Sequence, residues 1–123
     1  MSYWYLATPY ALYPFGKQAA YEEALKQTAT LLISGIPVYS PIVHYHPLSL
    51  LPEMQSKEGS FDFWVTQVDQ PLMDGASGLL VCKMVSWEDS QSVRYEIDRF
   101  MELKKPVVYY FPGEIPVLGS ESL

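Results

Sequence analysis

The chain has 123 residues, 49% of them hydrophobic and 18% charged, with a formal net charge of −6. That length predicts one domain around one core, and the acidic balance argues against a nucleic-acid polymer as partner, because phosphate binding needs a basic patch to release counterions. The single cysteine, Cys82, sits in an apolar run and predicts a buried, inert thiol in a reducing compartment. No apolar run approaches the roughly 20 residues of a membrane span. No basic region followed by a long apolar stretch opens the chain either, so a cytoplasmic protein without signal peptide or membrane partner is expected.

Tyr3 to Ala7 is aromatic and apolar without strict alternation, the pattern of a strand covered on both faces. Thr8-Pro9-Tyr10 breaks it, and Pro14 and Gly16 prolong the loop. From Lys17 to Ser34 apolar residues recur at helical spacing, and Gly35 supplies the stop. Ile36 to Ser40 reads as a second strand, with Pro37 at its start or on an edge. Pro41 to Ser60, rich in Pro, Ser and His and lacking a strong period, is expected to be a long loop. Phe61 to Met73 predicts a helix with Phe61, Val65, Val68 and Leu72 in one stripe, Trp64 close to it, and a bend or end at Pro71. A strand at Gly78 to Met84, a loop holding Trp87, a helix from about Ser90 to Leu103 and a last strand at Pro106 to Phe111 complete residues 1–111. Residues 112–123 have turn chemistry and predict a tail that is loose or docked on a neighbour.

Strands alternating with helices imply an α/β fold: a single-domain, flavodoxin- or Rossmann-like three-layer sandwich around a mainly parallel sheet of four to five strands. Ligands of such sheets collect at the carboxyl ends of the strands, where loops feed helix N-termini. The first strand brings Tyr5 there, the helix before the third strand brings Asp69, and the helix after it brings Glu96, with Ser90 near its N-cap. A hydroxyl and two carboxylates over one cleft have the makings of glycosidic-bond chemistry, in which one carboxylate attacks the sugar carbon and another acid protonates the leaving group.

Three motifs in order, Tyr5-Leu6-Ala7-Thr8-Pro9-Tyr10 after Tyr3-Trp4, Val68-Asp69 followed after seven intervening residues by Ser77, and Trp87-x-Asp89-Ser90-x-x-Val93-Arg94-x-Glu96, resemble the nucleoside 2-deoxyribosyltransferase-like superfamily. Within it the chain is most similar to small bacterial and phage domains of the DUF1937 type, from Tyr3 to Phe111. The resemblance implies cleavage or transfer of the N-glycosidic bond of a (deoxy)nucleoside or its 5′-monophosphate through a covalent glycosyl-Glu96 intermediate. It implies Asp69 as the group assisting the base and Tyr5 as the group orienting Glu96. It places Ser90 where nucleotide-hydrolysing branches bind phosphate, which a helix N-terminus favours. Thr8, Tyr10, Trp87, Asp89 and Arg94 are the further substrate contacts expected from these motifs, and His46 is expected to reach the cleft from the long loop. No cofactor is implied, and a homo-oligomer, dimer or higher, is expected.

Other readings of the same residues stand beside these. Glu96 could pair along its helix with Arg99, Tyr5 could be a core tyrosine, Ser90 a plain N-cap and Trp87 a plug against the core. His44 and His46 lack a third ligand at a suggestive spacing, so no metal is expected. The loop Thr8-Pro9-Tyr10-Ala11 lacks the glycines, serine and arginine with which nucleotide hydrolases hold phosphate, and Ser92 and Arg94 stand where glycine is frequent. These departures favour an alternative, a non-catalytic nucleotide-binding or sensing module using the same cleft. A Gly-Gly-x-Gly-Thr phosphate loop, which a lysine-decarboxylase-like phosphoribohydrolase needs, is missing.

Overall fold

A computed structural model of the protein describes residues 2–58 and 64–118. Its centre is a four-stranded, all-parallel sheet in the order β2-β1-β3-β4, made of β1 (Trp4–Ala7), β2 (Val38–Tyr39), β3 (Gly78–Cys82) and β4 (Val107–Tyr110). In chain order the helices are α1 (Lys17–Ile33), α2 (Pro41–Ser49), α3 (Pro52–Glu58), α4 (Gln70–Gly75) and α5 (Gln91–Glu102). A π-helical turn, Val65–Asp69, leads into α4, and a 3-10 turn, Trp87–Asp89, precedes α5.

Side-chain alternation along the two central strands separates two cores. Trp4, Leu6, Leu80 and Cys82 face one side with Leu31 of α1 and with Tyr110. Tyr5, Ala7, Leu79 and Val81 face the other, against Met73, Val93 and Phe100 of α4 and α5. Helices on both faces of a parallel sheet are the layering expected, and every residue of β1 and β3 is buried, which is why those strands read as unbroken apolar runs. The sheet can close this tightly because Gly78 has no side chain: a Cβ there would stand 2.5 Å from the Trp4 ring and 2.7 Å from the Pro106 carbonyl oxygen.

The segment 41–60 departs from the expected loop, since α2 and α3 occupy most of it. Ser40 caps α2, its hydroxyl accepting from the Val43 N–H at 3.2 Å, and Pro41 takes the first helical position, where its missing N–H costs nothing. The buried residues of α2 are Pro41, Ile42, His46 and Ser49, so two of the four are polar and no hydrophobic period forms. The second strand shrinks to Val38–Tyr39, because Ser40 already belongs to the cap. The expected helix 61–73 begins outside the described residues at 61–63, and it continues through Pro71 to Gly75. The tail is docked over its described part: Pro116 is buried and Leu118 packs on the α1-side core, while 119–123 lie outside the described residues.

Candidate functional site

Glu96 lies in the buried stripe of α5, between Val93 and Phe100 at helical spacing. Ser90 starts that helix as its N-cap, accepting from the Val93 N–H at 3.3 Å, and its hydroxyl also lies 3.1 Å from that of Ser92. Glu96 is only 6% exposed, and Arg99 does not pair with it: the guanidinium binds Asp74 at 2.9 Å. The carboxyl is therefore carried inward with the apolar face of its own helix.

Asp69 arrives by a different device. Pro71 has no N–H to give, and its ring crowds the carbonyl four residues back. The turn before it widens, so that the Gln70 N–H bonds to the Val65 carbonyl five residues earlier. Asp69 is the last residue of that widened turn. Its Oδ1 is buried and has no hydrogen-bond partner among the described residues.

Tyr5, on the central strand, points to the same side. Its ring packs 5.6 Å from that of Tyr39 and 5.8 Å from that of Phe100, and its hydroxyl is likewise buried without a partner. The hydroxyl is near enough to Asp69 and Glu96 to favour both carboxylates, yet no bond of ordinary length and angle closes. Burial dominates the acidities. It pushes Asp69 up to about 7 against the opposing influence of the Tyr5 hydroxyl and the Trp64 indole. Burial, then the neighbouring charge of Asp69, holds Glu96 well above the usual carboxylate range, with Tyr5 opposing. Burial and the two carboxylates raise Tyr5 in turn. Two carboxyls that sense each other in a dry wall do not both ionise at neutral pH and titrate as a pair.

Asp69 and Glu96 share a cavity of about 480 Å³ with Ala11 and Leu12 from the loop after β1, Val65, and Ser90, Gln91, Ser92 and Tyr95 from α5. The volume suits a small organic ligand. No Lys, Arg or His lines it among the described residues. Nor does any group of three or more His, Cys, Asp or Glu among them stand close enough to hold a metal ion.

The other expected contacts are dispersed. Tyr10 and Asp89 line a smaller depression of about 90 Å³ that shares Leu12 and Ser90 with the cavity. Thr8 is buried at the end of β1, its hydroxyl without a partner among the described residues. Trp87 and Arg94 line a separate depression beside α5, and Arg94 donates to the Glu88 carbonyl at 3.2 Å. His46 does not reach the cleft. It is buried in α2, its Nδ1 2.7 Å from the Tyr10 hydroxyl and its Nε2 2.9 Å from Gln18 Oε1, with Tyr21 stacked on its ring at 4.6 Å. Sequence reasoning passed over Gln91 and Tyr95, whose only signal was proximity to Ser90 and Glu96. Tyr95 is held by the Gln70 amide at 3.1 Å. Trp64, beside Asp69, was legible only as an aromatic near a helical stripe.

The fold and site define an all-parallel α/β domain with two carboxyls, Asp69 and Glu96, lining one cavity at the carboxyl edge of its sheet. The chain belongs to the family described as Domain of unknown function (DUF1937), which matches residues 2–111. No curated protein matches it. No helix among the described residues is long and apolar enough to cross a membrane.

Proposed function

We propose that this domain is a member of the nucleoside 2-deoxyribosyltransferase-like superfamily that breaks or transfers the N-glycosidic bond of a (deoxy)nucleoside or its 5′-monophosphate. The observation that carries the reading is the convergence of Asp69 and Glu96 on one cavity, with the Tyr5 hydroxyl buried beside them and without a partner among the described residues. One proton shared by two carboxyls divides their labour. With that proton on Asp69, Glu96 is the carboxylate: its oxygen bonds to C1′ as the C1′–N bond breaks, and the base nitrogen takes the electron pair and the Asp69 proton. Water, or the nitrogen of a second base, then attacks C1′ and releases Glu96, its proton passing to the Asp69 carboxylate. Tyr5 orients Glu96, and Ser90, at the helix N-terminus, is the contact for a sugar hydroxyl or phosphate.

The test is release of free base from nucleosides and 5′-monophosphates, ribo and deoxy, with and without an acceptor base, by wild type and Glu96→Ala in parallel. Release lost in the variant establishes the chemistry. Absence of release from every substrate sinks it and leaves the second reading, a binding module.

A further inference from the structure

Asp69 stands on a segment with little rigidity of its own. Helix α4 has six residues, too few to hold a helix by backbone bonds alone, and the turn before it is widened. Asp69 Oδ1 has no partner among the described residues, so the place of the turn falls to ties made by other residues. The far end of α4 is fastened through its carbonyls: the Tyr3 hydroxyl donates to that of Leu72, and the Lys105 ammonium donates to those of Met73 and Asp74. Two side-chain ties join the segment to α5. The Gln70 amide donates to the Tyr95 hydroxyl at 3.1 Å, and the Arg99 guanidinium donates to Asp74 Oδ1 at 2.9 Å. On both elements the ties stand four residues apart, about one helical turn, so they form two rungs of a ladder. The Gln70–Tyr95 rung abuts the carboxyls, because Gln70 directly follows Asp69 and Tyr95 directly precedes Glu96.

We propose that Gln70 and Tyr95 are positioning residues whose hydrogen bond holds the Asp69 turn against the Glu96 helix. Asp69, Gln70, Tyr95 and Glu96 close a ring. Two of its sides are the chain itself, the third is the hydrogen bond, and the fourth is the cavity that both carboxyls line. Carboxylates facing one cavity repel each other when both ionise. Helix α5, twelve residues long with Val93 and Phe100 in the core, is the fixed partner, so the short segment is the one that would yield. The Gln70–Tyr95 rung resists that motion next to where the repulsion arises. The Arg99–Asp74 rung lies one turn further off, with side chains 30% and 50% exposed, and an ion pair so open to water holds little. Gln70 is not among the residues lining the cavity, so its part is to hold and not to touch a ligand. The titratable groups that face Asp69 are Tyr5 from β1, Tyr39 from β2 and Glu96 from α5, with the Trp64 indole beside them.

The inference rests on the glycosidic reading only for its bearing on rate; the placement of Asp69 is measurable without turnover. Tyr95→Phe removes one oxygen and keeps the ring, and Gln70→Leu removes the donor. In either variant the loosened turn admits water to Asp69, and its carboxyl midpoint, read by carbon-13 NMR, is expected to fall by about one pH unit. Both replacements break the same bond, so together they should lower the midpoint no further. Asp74→Ala cuts the other rung and is expected to leave that midpoint in place, whatever it does to the unfolding temperature. A lowered unfolding temperature with an unmoved Asp69 midpoint in Tyr95→Phe and Gln70→Leu means a merely structural tie and overturns the proposal. So do additive shifts in the double variant, or an equal shift with Asp74→Ala. If base release is found, Gln70→Leu should lower kcat and move its pH profile by the same interval, with KM unaltered. If no substrate is found but the midpoint falls as expected, the positioning role stands and the glycosidic reading fails alone.

Discussion

Glu96 and Asp69 are ordinary residues made unusual by position. A glutamate in the apolar stripe of a helix holds its proton more tightly than a solvated one, so attack on C1′ needs the form in which the shared proton sits on Asp69. Glu96→Gln should therefore abolish base release, by about a thousandfold or more, while ligand binding measured by titration calorimetry persists. Asp69 has a consequence for stability with a definite sign. Its folded value of about 7 lies above the ordinary 3.8, so between those two values the unfolded chain has lost the proton that the fold retains. Stability is undiminished below pH 4, falls as pH rises towards 7, and stays reduced above it. Asp69→Asn should flatten that window in urea denaturation series and raise stability at pH 8 by roughly 2 kcal/mol. Both carboxyls were legible in the sequence as site candidates. Their acidities were not, because burial arises only where Tyr5 of β1, the turn carrying Asp69 and the Val93–Phe100 stripe of α5 meet in the fold.

Among the elements, strands were easiest to read: β1 and β3 are buried on both faces, and their apolar runs announce it. Helix α5 was also plain, its cap at Ser90 and its stripe both written in the pattern. Helix α2 was hidden by the polar residues on its inner face, although Ser40-Pro41 is the signature of a helix start. The widened turn at Val65–Asp69 was legible only as a disturbance expected near Pro71. Two substitutions probe these elements. Gly78→Ala should destabilise the fold by about 2 kcal/mol, since the Trp4 ring and a backbone oxygen must both give way. Thermal unfolding checks it. Pro71→Ala restores the missing donor, so the turn can tighten to an ordinary helix and swing Asp69 from its wall. The carboxyl midpoint of Asp69, read by NMR, should then fall towards that of a solvated aspartate while the domain stays folded.

At the scale of the whole molecule, the cavity has an unfinished rim. Leu12 lines it and is 80% exposed, and Phe15 nearby is 68% exposed. An apolar rim of this kind fits the homo-oligomer implied by the family resemblance, with a neighbouring subunit over the opening. Sedimentation velocity should show dimers or larger species, and Leu12→Asp should shift them towards monomer. The rim loop nevertheless does not hang free. Tyr10 is bolted through His46 to α2 and, by Gln18, to α1, so a histidine expected to touch ligand serves as a rivet for the wall instead. A wall fastened before the ligand arrives loses little freedom on binding. Cutting the rivet with His46→Ala should leave the cavity's chemistry whole and weaken binding through entropy, a loosened doorway rather than a damaged lock.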